Sequence, residues 1–222
     1  LPFWLAMTEG RKNRAVKVWH RRSGKDKTDL NFIVSRMFPQ NQGRIGTYFH
    51  LFPTYTQGKK IMWDGIDKAG FRVMDHFPGF SASKHPSGIV ARKNETELRV
   101  ELTNGSAYQV IGTDKIDSII GTNPVGCVFS EYSLQDPRAW DMLSPILLEN
   151  GGWACFNFTP RGHNHAEGLY RMAQKDPAWY CSKFTVDDTR DDNGNAIITR
   201  TQIESERIRL IEQGKSESDA ET

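Results

Sequence analysis

The stretch VWHRRSGKDKTDL, running from Val18 to Leu30, decides how the rest of the chain is read. Immediately before and into it, Ala15 to Trp19 has the composition of a short strand. Within and after it, Leu30, Ile33, Val34 and Met37 recur at i, i+3, i+4 and i+7, the stripe of a helix lying on a sheet, and Pro39 ends that helix. A strand, a tight glycine-containing turn and a helix in that order make backbone amides and a helix N-terminus converge on one anion. The usual phosphate-loop pattern is Gly, four residues, Gly, Lys, then Ser or Thr. Here Trp19 stands at the first glycine and Asp26 follows Gly24 and Lys25. Arg21, Arg22, Ser23, Gly24, Lys25, Asp26, Lys27 and Thr28 are therefore the candidate nucleotide-binding residues of an altered loop.

The 222 residues suffice for one α/β domain, which at this size buries roughly 70% of the surface its unfolded chain exposes. Net charge is only +2, yet Arg11, Lys12, Arg14, Lys17, Arg21, Arg22, Lys25 and Lys27 crowd the neighbourhood of the loop. Cys127, Cys155 and Cys181 are widely spaced among apolar neighbours, as expected of reduced core thiols, and with no C-x-x-C pair they do not suggest zinc. No apolar run approaches the ~18 residues that span a bilayer, and LPFWLAMTEG lacks the charged start of a secretion signal. The expectation is a protein that is neither membrane-inserted nor exported.

Further along, Gly46 to Phe52 reads as a strand, and LRVELTNGSAYQVIG (Leu98 to Gly112) as two strands joined at Asn104-Gly105. Val125 to Phe129 is short and apolar, the signature of a strand buried on both faces, and it ends in Ser130-Glu131. Trp153 to Phe158 repeats the design and empties into Thr159-Pro160. Open α/β sheets bind ligands at such strand ends. Trp140, Leu143 and Leu147 fit a core-facing helix, whereas His163 and His165 are better explained by a hydrogen-bonded loop than by a metal. After Tyr180 the chain is charged and turn-rich, and a helix with a capping box at Thr201 and Glu204 is expected to close near Gly214.

WHRRSGKD (Trp19 to Asp26), VFSEYSLQDPRAW (Val128 to Trp140) and NFTPRGHNH (Asn157 to His165), in this order and at domain-scale spacing, resemble the ATPase domain of the tailed-bacteriophage terminase large subunit. LFPTYTQGKKIMW (Leu51 to Trp63) is similar to that family's segment after its second strand. The resemblance implies a P-loop NTPase fold with a mostly parallel sheet flanked by helices, an ATPase domain over residues 1–185, and a hairpin, helix and linker over 186–222. It implies ATP and Mg²⁺ as ligands, with Lys25 on the β- and γ-phosphates and Arg21 reaching the γ-phosphate in cis. Glu131 matches the catalytic glutamate, and Thr159 and Pro160 match the coupling motif. Double-stranded DNA, a portal protein and a small terminase subunit are the implied partners of a homo-oligomeric ring in the host cell cytoplasm, with no role for a membrane.

Departures from ordinary phosphate-loop enzymes and from the family pattern sharpen the expectation. Where a loop Ser or Thr and a strand-end Asp are usual, this chain has Asp26 and Ser130, so that one carboxylate and one hydroxyl are again available near Mg²⁺. Ile120-Gly121 stands where many relatives carry Arg-Gly, leaving Arg138 or another basic residue as a possible trans-acting finger. Leu1 falls where the family's adenine-contact segment would be finishing, and no acidic cluster suited to nuclease chemistry is visible, so a motor fragment of a longer protein without nuclease activity is expected. Another DNA-translocating or helicase-like ATPase, and a non-hydrolysing nucleotide switch or scaffold, are the alternatives.

Overall fold

The computed structural model describes residues 2–21, 23–67, 69–81, 87–190 and 193–214. The chain divides into two compact units, Leu1–Ser182 and Lys183–Thr222. The strands are β1 (Arg14–Trp19), β2 (Thr47–Phe52), β3 (Val90–Asn94), β4 (Arg99–Leu102), β5 (Ala107–Gly112), β6 (Pro124–Ser130), β7 (Trp153–Phe158) and β8 (Trp179–Phe184). They form one sheet in the order β3-β4-β5-β2-β6-β7-β1-β8. From β5 through β2, β6 and β7 to β1 every pairing is parallel, while β3, β4 and β5 pair antiparallel, with the expected turn at Asn104-Gly105 joining the last two. The fold is thus a mostly parallel α/β sheet flanked by helices, as expected.

Alternation along the central strands sends side chains to two separate cores. One face carries Ala15, Tyr48, Phe52, Tyr108, Val128, Trp153 and Cys155, covered by α1 (Pro2–Met7) and α2 (Lys25–Arg36) through Phe3, Met7, Leu30, Phe32 and Ile33. The other carries Val16, Phe49, Leu51, Cys127, Phe129, Ala154 and Phe156 against Leu143 and Leu147 of α4 (Arg138–Glu149) and Ala166 and Ala173 of α5 (His165–Ala173). Phe32 is fully buried between Phe3 and Trp153, with ring centroids 5.0 and 4.9 Å away, and such burial stabilises by roughly 1.5–3 kcal/mol. Trp153 fits because its neighbour on β6 is Gly126, where a Cβ would lie 2.4 Å from the indole. Trp140 is half-buried and meets Phe156 edge-on, while Leu143 and Leu147 face the core as their spacing predicts.

One expectation needs correction. The C-terminal helix α6 (Arg200–Glu212, after α3 at Tyr55–Gly58) has its capping box at Thr199 and Gln202, not at Thr201 and Glu204. The Thr199 side chain accepts from the Gln202 amide, so the helix begins about half a turn earlier than the Thr-x-x-Glu spacing suggested. The cations that crowd the loop in sequence do not all lie at the surface. Lys17 is fully buried and Lys25 is 5% exposed, because each has a carboxylate partner inside the fold.

Candidate functional site

The strand order puts β6, β7 and β1 side by side and parallel, so Ser130-Glu131, Thr159 and the turn after Trp19 all emerge at one sheet edge. The turn reaches α2 through Gly24, whose φ of 78° is left-handed and strained for any residue with a Cβ. The Thr28 amide closes the first helical bond onto the Gly24 carbonyl at 2.9 Å. The Ser23 hydroxyl is buried in the turn without a hydrogen-bond partner among the described residues. An anion seated over the helix start would supply the acceptor it lacks.

Lys25, the first residue of α2, points back across the sheet edge. Its Nζ lies 2.7 Å from Glu131 Oε1 and donates to Thr159 Oγ1 at 3.2 Å. Glu131 itself has φ 54° and ψ 45°, a conformation that costs a non-glycine residue roughly 1–2 kcal/mol. It is held there by local bonds. The Glu131 amide donates to Asn157 Oδ1 at 3.3 Å, and its carbonyl accepts from the Leu134 amide at 2.8 Å. Gln135 Nε2 donates to the carbonyls of Ser130 and Leu51 at 2.7 and 2.9 Å, stapling the ends of β6 and β2 together.

Asp26 and Ser130, far apart in sequence, meet directly: Ser130 Oγ donates to Asp26 Oδ1 at 2.7 Å. Beneath them lies a buried polar seam. Lys17 of β1 pairs with Asp29 of α2, both fully buried, and the Lys17 ammonium also sits 4.2 Å over the Phe3 ring. Asn157 of β7, directly across from both Lys17 and Ser130, donates through Nδ2 to Asp29 Oδ2 at 2.5 Å and Ser130 Oγ at 3.0 Å, with Asp26 Oδ1 at 3.3 Å. His50 of β2 places Nε2 2.9 Å from Ser130 Oγ and Nδ1 3.1 Å from the Tyr108 hydroxyl on β5. Burial pushes the His50 pKa down to about 4 and the Tyr108 hydroxyl well up, so at neutral pH the ring is uncharged and the phenol keeps its proton.

The geometry therefore unites Lys25, Asp26, Ser130, Glu131 and Thr159. Arg21 is exposed in the loop and Pro160 is exposed after β7. Lys27 extends away to Asp67, 3.2 Å from its Oδ2, and Thr28 lies in the first turn of α2. Arg22 lies outside the described residues. Ile120 is 65% exposed, and Arg138 pairs with Asp136 at 2.5 Å. His163, in the loop, contacts Glu167 at 2.6 Å, and His165, which proves to be the first residue of α5 and not a loop residue, contacts the Tyr132 carbonyl at 2.8 Å.

Asn157, Lys17, Asp29, His50 and Tyr108 were not singled out from the sequence as site residues. For Lys17, His50 and Asn157 the available signal was a strongly polar side chain set among apolar neighbours in AVKVW, YFHLF and WACFNF. As hard oxygen donors on a strand end and a helix start, Asp26 and Ser130 suit the neighbourhood of a nucleotide-bound magnesium, which takes few protein ligands. No group of three or more His, Cys, Asp and Glu that could cage a metal occurs among the described residues.

No protein-family model matches the chain, and no curated protein matches its sequence. Solved structures do match its fold. The large terminase ATPase domain of Thermus phage P74-26 is 18% identical, with a TM-score of 0.63 over 83% of this chain and 80% of that one. The large terminase of a thermophilic bacteriophage, solved in complex with ADP, is 15% identical, with a TM-score of 0.64 over 92% of this chain and 47% of that one. The HK97 bacteriophage large terminase is 16% identical, with a TM-score of 0.60 over 99% and 45%. The chain thus spans somewhat less than half the length of the latter two proteins. At these identities the likeness is one of architecture: the chain has the fold of large-terminase ATPase domains.

Proposed function

We propose that the chain hydrolyses ATP to drive double-stranded viral DNA into a procapsid. The observation that carries this reading is the meeting of Lys25, Glu131, Thr159, Asp26 and Ser130 at one edge of a sheet with the terminase ATPase fold. Lys25 exchanges Glu131 for the β- and γ-phosphates, where its charge and the loop amides stabilise the transferred group. Glu131, released from the ion pair, orients and polarises the attacking water. Arg21, in the loop, reaches the γ-phosphate in cis, and Arg22, Ser23, Gly24, Lys27 and Thr28 complete the loop around the nucleotide. Asp26, with Ser130 hydrogen-bonded to it, would hold a magnesium ion, which would supply neutralisation of the phosphate charge. Thr159, which touches Lys25 here, senses its change of partner and passes it with Pro160 into the segment leading to α5.

The partners follow from the same reading: duplex DNA, a portal protein and a small terminase subunit, engaged by a homo-oligomeric ring in the host cytoplasm. The experiment is ATP turnover by the purified chain with portal and duplex DNA, run beside a strand-separation assay. Turnover with DNA movement and no strand separation supports packaging. Strand separation would place the chain among helicases, and nucleotide binding without turnover would make it a switch.

A further inference from the structure

The hydrogen bonds beneath the loop take their direction from the donors and acceptors each group has to offer. Ser130 has one hydroxyl proton and two lone pairs. Its 2.7 Å contact is to a carboxylate oxygen of Asp26, which can only accept, so the proton lies there. The two protons of Asn157 Nδ2 go to its two nearest acceptors, Asp29 Oδ2 at 2.5 Å and Ser130 Oγ at 3.0 Å, in preference to Asp26 Oδ1 at 3.3 Å, and the amide orientation follows from Asn157 Oδ1 accepting from the Glu131 amide. His50 Nε2, 2.9 Å from the same oxygen, must then be the second donor. Its Nδ1 is left bare and accepts from the Tyr108 hydroxyl at 3.1 Å. Tyr108, His50, Ser130 and Asp26 thus form one directed chain running from β5 through β2 and β6 to the first turn of α2.

The consequence concerns Ser130. With both lone pairs taken by His50 and Asn157, its oxygen has none to offer a cation, and its proton is already committed to Asp26. We infer that Asp26 alone is the side-chain ligand of the nucleotide-bound cation, and that His50, set by Tyr108, is a positioning residue that aims the Ser130 hydroxyl at Asp26 and so orients the Asp26 carboxylate. This inference rests on the proposal that Asp26 serves a nucleotide-bound magnesium. It assigns His50 and Tyr108, otherwise two polar residues in apolar strands, a definite task. Partners of this kind, behind a metal ligand, govern metal affinity by orienting the ligand.

Two measurements test it. The first is ¹⁵N NMR of the histidine rings in the wild-type chain. A neutral His50 protonated on Nε2 and bare on Nδ1 is expected, and the opposite tautomer would overturn the directed chain. The second is ADP titration with and without Mg²⁺. His50→Leu should lose about tenfold of the affinity gained on adding Mg²⁺, with Mg²⁺-free affinity unchanged. His50→Gln, whose amide can still donate to Ser130, should retain most of the gain. Tyr108→Phe removes one hydroxyl from the chain, and should lose in the same direction by less; it carries the test should His50→Leu fail to fold. Variants that weaken binding equally with and without Mg²⁺, or not at all, would overturn the positioning role while leaving the cation reading intact. A wild-type chain whose ADP affinity is indifferent to Mg²⁺ would overturn the cation reading and this inference with it.

Discussion

Replacing Lys17 by methionine keeps an aliphatic stem but deletes the ammonium that neutralises Asp29 and sits over the Phe3 ring, and Lys17 and Asp29 are both fully buried. Asp29 would keep the Asn157 amide and the Cys155 thiol as partners, neither carrying a positive charge. Removing one member of a buried ion pair costs about 3–5 kcal/mol because the other charge remains uncompensated, a large share of the ~5–15 kcal/mol by which domains are stable. Urea denaturation followed by tryptophan fluorescence should show that loss as a lower midpoint with an unchanged slope. Adding Asp29→Leu removes the stranded charge, and the double variant should be more stable than the sum of the single losses by about 0.5–3 kcal/mol. The pH dependence has a definite sign. Burial would pull the Lys17 pKa down, but the Asp29 charge and hydrogen bond outweigh it and raise the folded value above the ordinary 10.5. The stability that Lys17 contributes is therefore full below the ordinary lysine value and fades as pH rises through the folded one. The gap between wild type and Lys17→Met should shrink only in that alkaline range. A loss under ~1 kcal/mol at pH 7, well short of the cost of a stranded buried charge, or a gap that widens with alkali, would refute the reasoning.

The same site yields further expectations. Asp26→Ser and Ser130→Asp should each impair turnover, while together they restore the usual hydroxyl in the loop and carboxylate on the strand; kcat/KM for MgATP should reveal a coupling of about 0.5–3 kcal/mol, and strictly additive losses would contradict it. His50, with its pKa lowered to about 4, takes up its proton far more readily unfolded than folded. Its contribution should make stability fall by about 3 kcal/mol between pH ~6.5 and 4, a decline that His50→Gln should remove from denaturation midpoints measured across that range. Gly24→Ala meets no atom within 4 Å, so its cost is backbone strain alone, about 1–2 kcal/mol in the left-handed region. A calorimetric loss of stability of that size should accompany weaker nucleotide binding.

The sequence made the elements around the loop legible because each announced itself locally. The 3.6-residue stripe of Leu30, Ile33 and Met37 predicted α2, the apolar runs predicted β6 and β7, and Asn104-Gly105 predicted the turn between β4 and β5. The exchange of Asp26 and Ser130 was visible as a pattern, and the two side chains do meet. The buried seam was not visible, because it depends on strand order. Lys17, His50, Tyr108 and Asn157 come from four strands that only the β5-β2-β6-β7-β1 order brings together in one seam, and Lys17 looked like one more cation in a basic stretch. The start of α6 was misplaced because Thr199-Arg-Thr-Gln and Thr201-Gln-Ile-Glu both satisfy the capping spacing, and only the backbone chooses between them.

The most direct measurement of the central claim is paired: nucleotide affinity and single-turnover ATP hydrolysis for wild type, Lys25→Ala and Glu131→Gln. In the structure Lys25 and Glu131 are bound to each other at 2.7 Å, and the account gives them separable tasks once ATP enters. Lys25→Ala should lose binding and turnover together. Glu131→Gln, freed of the ion pair that competes with phosphate for Lys25, should bind ATP at least as tightly as wild type and cleave it at least 100-fold more slowly, within the ~10²–10⁴ range of a positioned base. Wild-type hydrolysis rates in the Glu131→Gln protein would contradict the claim that this edge of the sheet is where ATP is cleaved.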